Sequence, residues 1–171
     1  TRVQWLDRSP EQPLRGVLLA NEVLDALPVS RFTIQAGEPH ELGVSRAGED
    51  FIYVTRPATT ELANAVAAIT ASTGADLPDG FTSELCLLLP GWLREATRWL
   101  GTGTALLFDY GFPRRDYYLP ERSSGTLRCY YRHRAHENPF LWPGLQDITA
   151  WVDFSWLAES AIAAGFTLTG Y

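Results

Sequence analysis

Two short apolar runs without alternation are the clearest feature of the hydrophobic pattern. Gly16–Ala20 and Thr104–Phe108 are apolar at almost every position, and polar residues follow each run at once. Uninterrupted runs of this length are typical of strands covered by helices on both faces of a parallel sheet. The pattern therefore predicts two buried strands with polar residues at their carboxyl ends, where open α/β sheets bind ligands.

Helical spacing of apolar residues predicts three helices. Thr59 or Thr60 can cap the first, and Asp153 and Gly165 can begin and end the third. The predicted helices are Glu61–Thr70, Trp92–Leu100 and Phe154–Ala164. Their order relative to the two apolar runs indicates alternating strands and helices.

Other stretches predict strands outside the parallel pair. Val29–Gln35 and Phe51–Thr55 are rich in β-branched and aromatic residues, which predicts an antiparallel hairpin or a small β-rich insertion around residues 31–58. Thr126–Arg134 alternates in polarity, and Phe166–Tyr171 is predicted to be the last strand. The segments predicted to be loops or irregular are Ala75–Gly80, Phe112–Gly125 and Asn138–Ala150. We expect one α/β domain over residues 1–171.

Composition narrows the classes of partner. The chain has 171 residues, of which 46% are hydrophobic and 20% charged, and a net charge of −6. No apolar run approaches the about 18–20 residues that cross a membrane, and the acidic balance disfavours non-specific binding to nucleic acid. Cys86 and Cys129 have no metal-binding spacing and are predicted to be free thiols, with no metal site. The absence of methionine suggests a fragment.

The polar residues after the first apolar run form the first candidate site. Asn21 offers an amide, and Glu22 and Asp25 are carboxylates that share a face if this turn is helical. Such a group can hold a cation or orient a nucleophilic nitrogen. The alternative is structural, with Asn21 and Asp25 capping a short following helix and Glu22 solvated.

Two further segments are candidates for ligand contacts. Asp109 and Tyr110 follow the second apolar run, although this segment is equally consistent with a turn in which Gly111 has a positive φ. The arginine-rich and aromatic stretch Thr126–Arg134 could bind a phosphate, an acidic peptide or nucleic acid. Its alternative role is a solvated face with extended arginine side chains.

Four blocks of sequence, in one order, carry a family resemblance. They are residues 16–29, 108–111, 125–134 and 147–154. In the first block, Ala20-Asn21-Glu22 and Asp25-Ala26 followed by Pro28 match the ANE-x-x-DA-x-P signature. The chain closely resembles the MidA-like methyltransferases, a family that includes the mitochondrial complex I assembly protein-arginine methyltransferase.

The resemblance implies the C-terminal part of a class I, Rossmann-like methyltransferase fold, with a mostly parallel sheet and an antiparallel last strand. It also implies S-adenosylmethionine as cofactor and an arginine on a partner protein as acceptor. The family's glycine-rich cofactor loop is expected to be absent, so this chain alone is expected to be inactive. Residues 3–6 resemble the segment that precedes the fourth strand of the fold.

Residue roles carried over by resemblance fall into three groups. Glu22, Asp25 and Asn21 are the expected catalytic residues, with Glu22 first. Trp5, Leu6 and Asn21 are expected to contact the cofactor. The expected substrate-binding residues are Asp109, Tyr110, Arg128, His133 and Arg134. The last three could instead pair with Asp147 and Asp153.

Two rival functions remain open. The first is a non-enzymatic protein-binding module or a catalytically incomplete remnant, and the second is a methyltransferase for a small molecule. An open acidic groove would favour a peptide arginine, and a narrow apolar pocket a small molecule. We expect a bacterial-type cytoplasmic protein, and an unpaired edge beside the first strand predicts either a homodimer or a longer polypeptide.

Overall fold

A computed structural model describes residues 3–74 and 76–171. In chain order the strands are β1 (Leu14–Asn21), β2 (Ser30–Gln35), β3 (Glu38–Ala47), β4 (Asp50–Pro57), β5 (Thr82–Leu85), β6 (Leu100–Phe108), β7 (Gly111–Phe112), β8 (Arg128–Tyr131), β9 (Arg134–His136), β10 (Asp147–Thr149) and β11 (Val152–Asp153). The α-helices are α1 (Thr60–Thr73), α2 (Leu89–Thr97), α3 (Arg114–Tyr117) and α4 (Phe154–Ala163). None of these helices has the length and apolar character required to cross a bilayer.

The two predicted apolar runs form a parallel pair, β1 and β6, with Asn21 opposite Phe108. Only one face of this pair is covered. Leu107 packs into the cluster formed by residues of α2 and α4, whereas Val17 and Leu19 on the other face are 60% and 67% exposed. The expectation of burial on both faces is therefore wrong, because the described residues supply helices to one face alone.

The four-stranded antiparallel sheet has the order β4-β3-β2-β5 and packs on α1. Phe32 and Ile34 of β2 meet Leu62, Val66 and Ile69 of α1 in a buried core. The predicted strands at residues 29–35 and 51–55 correspond to β2 and β4, although β3 lies between them and β5 was missed. The status of this sheet as an insertion stays a prediction.

Helix boundaries follow their capping residues. Thr59 caps α1 by accepting a hydrogen bond from the Leu62 amide, and Asp153 caps α4 by accepting one from the Trp156 amide. Gly165 beyond α4 has φ +91°, as its predicted role as helix terminator requires. The second helix begins earlier than predicted, at Leu89, because Pro90 occupies its first turn, where proline is tolerated.

Two other predictions are corrected, and a third is confirmed. The predicted loop at 112–125 contains α3 and a short 3-10 helix, and it buries Arg114, Tyr117 and Tyr118. Residues 166–171 form no strand, because alternation needs a partner edge, and Tyr171 instead packs edge-on against Phe154. Residues 76–80 are outside helices and strands, as predicted, whereas Ala75 lies outside the described residues.

The segment predicted as one alternating strand, residues 126–134, contains β8, a turn and the first residue of β9. Arg132 and His133 have φ of +47° and +63°, so the chain turns there between β8 and β9. β10 pairs with the other side of β8, which adds a strand to a segment predicted to be irregular. As predicted, Cys129 is buried and its neighbours Arg128 and Tyr130 are exposed.

Candidate active site

The carboxyl ends of β1 and β6 bring the two predicted candidate segments side by side. The Glu22 amide donates a hydrogen bond to the Phe108 carbonyl at 2.8 Å, which continues the parallel ladder by one residue. The chain then leaves β1 through a sharp bend, with Glu22 at φ +51°. The segment after β1 therefore starts next to Asp109.

Asp109 holds that segment in place. Its Oδ2 accepts hydrogen bonds from the backbone amides of Val23, Leu24 and Asp25 at 3.1, 2.8 and 3.3 Å, and its Oδ1 accepts one from the Tyr110 amide at 2.9 Å. Converging amides of this kind form an anion-binding concavity, and here the anion is the chain's own carboxylate. The geometry favours Asp109 as a positioning residue over a group free to bind substrate.

The structural alternatives considered for these two segments are wrong except in one respect, the solvation of Glu22, which is exposed. No helix follows Asn21, so Asn21 and Asp25 are not caps, and Glu22 and Asp25 do not share a helical face. Gly111 lies in β7 and has no positive φ. A Cβ at Gly111 would come within 2.0 Å of the Val152 carbonyl oxygen, so glycine is required there by close backbone approach.

Glu22 and Asp25 have different surroundings. Glu22 is exposed, whereas Asp25 is half-buried and its carbonyl accepts a hydrogen bond from the Ala150 amide at 2.9 Å. Burial raises the pKa of the Asp25 carboxyl, and the negative charges of Asp109, Asp147 and Glu22 raise it further. The Asp25 carboxyl therefore lies among like charges, which favour a cation beside it.

Asp25 lies in the wall of an open cleft of about 520 Å³. One wall is the face of the antiparallel sheet opposite α1, and the other is the segment that includes β10. The apolar and aromatic lining residues are Leu42, Val44, Phe51, Tyr53, Leu127, Phe140 and Ile148. The cleft is thus mainly apolar with a carboxylate in its wall, which is the usual character of a ligand site.

Aromatic contacts fix the shape of this cleft. The ring of Phe140 lies 4.7 Å from the ring of Tyr53 and 6.3 Å from that of Phe51, measured between centroids. Arg31 donates a hydrogen bond to the Tyr53 hydroxyl at 2.8 Å and pairs with the buried Glu84 at 3.7 Å. The ring of Tyr53 is therefore held from both sides.

The sequence analysis did not predict these lining residues as part of a site. One sequence signal does point to two of them. Phe51 and Tyr53 are two positions apart on a predicted strand, so they share a face. Phe140 lies in a segment predicted to be irregular, and no local pattern marks it as a partner of β4.

The remaining predicted substrate-binding residues lie elsewhere. Tyr110 is exposed, His133 and Arg134 are exposed at the turn between β8 and β9, and none of the three lines the cleft. Arg128 pairs with Glu137 and not with Asp147 or Asp153. Asp153 pairs with Arg114 at 3.2 Å, and not with Arg128, His133 or Arg134.

The residues expected to contact a cofactor lie around β1. Trp5 and Leu6 are exposed in the segment before β1, and Asn21 is exposed at its end. Gly101-Thr102-Gly103 lies within β6, where a Cβ at Gly103 would come within 1.8 Å of the Gly16 carbonyl oxygen. This Gly-x-Gly serves strand packing, and the role of Trp5, Leu6 and Asn21 in cofactor binding stays a prediction.

The whole chain, residues 1–171, matches the protein family described as "Putative S-adenosyl-L-methionine-dependent methyltransferase". The chain belongs to this methyltransferase family. The cofactor of this family is S-adenosylmethionine. The resemblance to MidA-like methyltransferases is confirmed.

Relatives of this methyltransferase chain support the same placement. It is 28% identical to the protein arginine methyltransferase NDUFAF7 homolog, mitochondrial, of Drosophila melanogaster, over 96% of this chain and 37% of that protein. A solved COG1565 superfamily member from Burkholderia thailandensis, bound to S-adenosyl-homocysteine, is 43% identical with a TM-score of 0.86. That match covers 96% of this chain and 41% of the solved one. The α/β fold is thus confirmed, and the methyltransferase chain spans about two fifths of these relatives.

Proposed function

We propose that this chain forms the acceptor side of a methyltransferase that methylates arginine on a partner protein. The observation that carries the proposal is Asp25, a half-buried carboxylate in the wall of an open aromatic cleft and surrounded by three further carboxylates. The name of the Drosophila relative supports the same acceptor.

The chemistry of a guanidinium explains the need for such a site. A protonated guanidinium is a poor nucleophile, because its charge and lone pairs are delocalised over three nitrogens. S-adenosylmethionine supplies, when bound, a methyl group on a positively charged sulfur. The chain's own contribution is to orient one guanidinium nitrogen by a hydrogen bond to Asp25 and to accept the proton that this nitrogen loses.

Asp25 takes precedence over Glu22 in this proposal. The raised pKa of the Asp25 carboxyl makes it a stronger proton acceptor than an ordinary aspartate, and its half-buried position strengthens its interaction with a cation. Glu22, which is exposed and outside the cleft lining, contributes mainly its charge. Asp109 keeps the strand-end geometry in which Asp25 is presented, and Asn21 lies exposed at the end of β1.

A small-molecule acceptor is the second candidate. The cleft volume of about 520 Å³ lies within the usual range of small-ligand sites, and its lining is mainly apolar. The open mouth favours a polymer instead, because a polypeptide must pass beyond the site on both sides.

The first test is calorimetry of S-adenosylmethionine against this chain and against a chain of the relatives' full length. We expect binding to the longer chain alone. The longer chain is then assayed for methyl transfer to arginine peptides and to free guanidino compounds.

In the same assay, Asp25→Asn is expected to lower kcat by about 100-fold or more, which is the usual contribution of a general base. Glu22→Gln should cost less than about tenfold, and Asp116→Asn on the exposed side of α3 serves as the control. A larger loss of kcat for Glu22→Gln than for Asp25→Asn would contradict the assignment of Asp25 as the proton acceptor. Transfer to free guanidino compounds but not to peptides would favour the small-molecule candidate.

A further inference from the structure

The antiparallel sheet has two apolar faces, and α1 covers the β2 part of one of them. Phe32 and Ile34 face α1 and are buried. The opposite face is covered in part by Phe140, and it leaves Val44 and Phe51 59% and 41% exposed although both line the cleft. Exposed apolar side chains inside a cleft are a common sign of a binding surface.

The charges of the cleft are concentrated in one part of it. Asp25 contributes the negative charge, whereas the guanidinium of Arg31 is taken up by Tyr53, by the Ser124 carbonyl at 3.2 Å and by Glu84. The wall formed by Val44, Phe51 and Phe140 has no charged member. A single arginine side chain held by Asp25 would therefore leave this apolar wall in contact with water.

We propose that the cleft selects polypeptide segments in which a large apolar residue lies two positions from the acceptor arginine. The arginine binds at Asp25, and the apolar side chain packs on Val44, Phe51 and Phe140. The arginine half of this proposal rests on the proposed function, whereas the apolar subsite rests on the sheet face itself. Side chains two positions apart in an extended peptide point the same way and lie about 7 Å apart, so both can enter one cleft.

Charge complementarity supports a polypeptide with a cationic residue as the occupant. Three other carboxylates act on Asp25, and an aromatic ring pair lines the same cleft, so a guanidinium with its aliphatic stem matches both. A second copy of this chain is a poorer match, since its net charge is −6.

The test is fluorescence anisotropy with labelled ten-residue peptides and the chain, both at 171 residues and at the relatives' full length. One peptide has leucine two positions before and two positions after a central arginine, and its match has serine at both positions. We expect the leucine peptide to bind about tenfold more tightly or better, the change that corresponds to burial of one apolar side chain.

Variants locate the effect. Phe51→Ser and Val44→Ser should each reduce the preference for leucine to less than about threefold. Ile52→Ser is the matched control, because Ile52 adjoins Phe51 on β4, is 40% exposed and points to the other face of the sheet. Circular dichroism of each variant verifies folding, and Val44→Ser changes the more exposed of the two sites.

The outcomes separate this proposal from the proposed function. Equal binding of the leucine and serine peptides overturns the apolar subsite, even if arginine is methylated. A leucine preference that survives both Phe51→Ser and Val44→Ser also overturns it. A citrulline peptide that keeps the leucine preference and binds as tightly as its arginine match supports the apolar subsite and counts against the arginine acceptor.

Discussion

Two aspartates that are neighbours in space show how surroundings decide a role. The carboxylate of Asp109 accepts four backbone hydrogen bonds, which stabilise its charge and hold the segment after β1. Asp25 is partly removed from water and is surrounded by like charges. The first carboxylate organises the site, and the second is available to a cationic ligand.

Replacement of Asp25 should show a stability effect that depends on pH. The pKa of Asp25 is raised in the folded chain, so its ionised form opposes folding. This opposition is absent below the ordinary aspartate pKa of about 4 and grows as pH rises through the raised value. Asp25→Asn should therefore increase the melting temperature at pH 7–8, and the increase should vanish towards about pH 4.

Thermal unfolding followed by circular dichroism between pH 4 and pH 8 measures this effect. Asp116→Asn serves as the control, since Asp116 is exposed on α3. Added salt should reduce the part of the melting-temperature increase that comes from repulsion by neighbouring carboxylates. A melting temperature that falls at pH 7–8 would show that Asp25 stabilises the fold.

At the scale of elements, a buried carboxylate joins segments that are far apart in sequence. Glu84 of β5 is fully buried, and its Oε1 accepts hydrogen bonds from the amide and hydroxyl of Thr126 at 2.5 and 2.7 Å and from the Tyr117 hydroxyl at 3.2 Å. The Tyr117 hydroxyl also lies 3.0 Å from the Trp151 carbonyl oxygen, and its single hydrogen is shared between this carbonyl and Glu84. This network connects β5, α3 and the segment before β11, behind the cleft.

Gly125→Ala tests how tightly that network is packed. Gly125 has φ +80°, and a Cβ there would lie 2.4 Å from Glu84 Oε2. Gly48→Ala is the matched control, because Gly48 has φ +65° in the β3–β4 turn and open space around it. We expect the control to cost about 1–2 kcal/mol in free energy of unfolding, and Gly125→Ala to cost about 2 kcal/mol more. Urea unfolding measures both, and equal losses would refute the packing argument.

Local signals in the sequence were sufficient for the elements that depend on local chemistry. Thr59 and Asp153 cap their helices, and the polar residues after β1 and β6 meet as expected for parallel strands. The cleft could not be predicted in this way. Glu84 bonds to Thr126, which is 42 residues away in the sequence, and Phe140 contacts Tyr53 of β4 from a segment without regular structure. Local patterns do not reveal contacts between such distant residues.

At the scale of the whole molecule, the uncovered face of the parallel pair is the dominant feature. Val17 and Leu19 of β1 and Leu106 and Phe108 of β6 form one contiguous apolar strip, and β1 has no second strand partner among the described residues. Exposed apolar strips and free strand edges both promote association. This strip ends at Asn21, so whatever covers it lies next to the candidate site.

The chain of 171 residues should therefore self-associate. We expect sedimentation velocity at tens of micromolar to show species larger than 19 kDa whose share rises with concentration. Leu19→Glu should weaken association by about tenfold or more, because it places a charge in the middle of the strip. Ile162→Glu is the matched control, since Ile162 is similarly exposed on α4, away from the strip. A chain that stays monomeric at hundreds of micromolar would show that the strip alone does not drive association, and equal effects of the two variants would place the contact elsewhere.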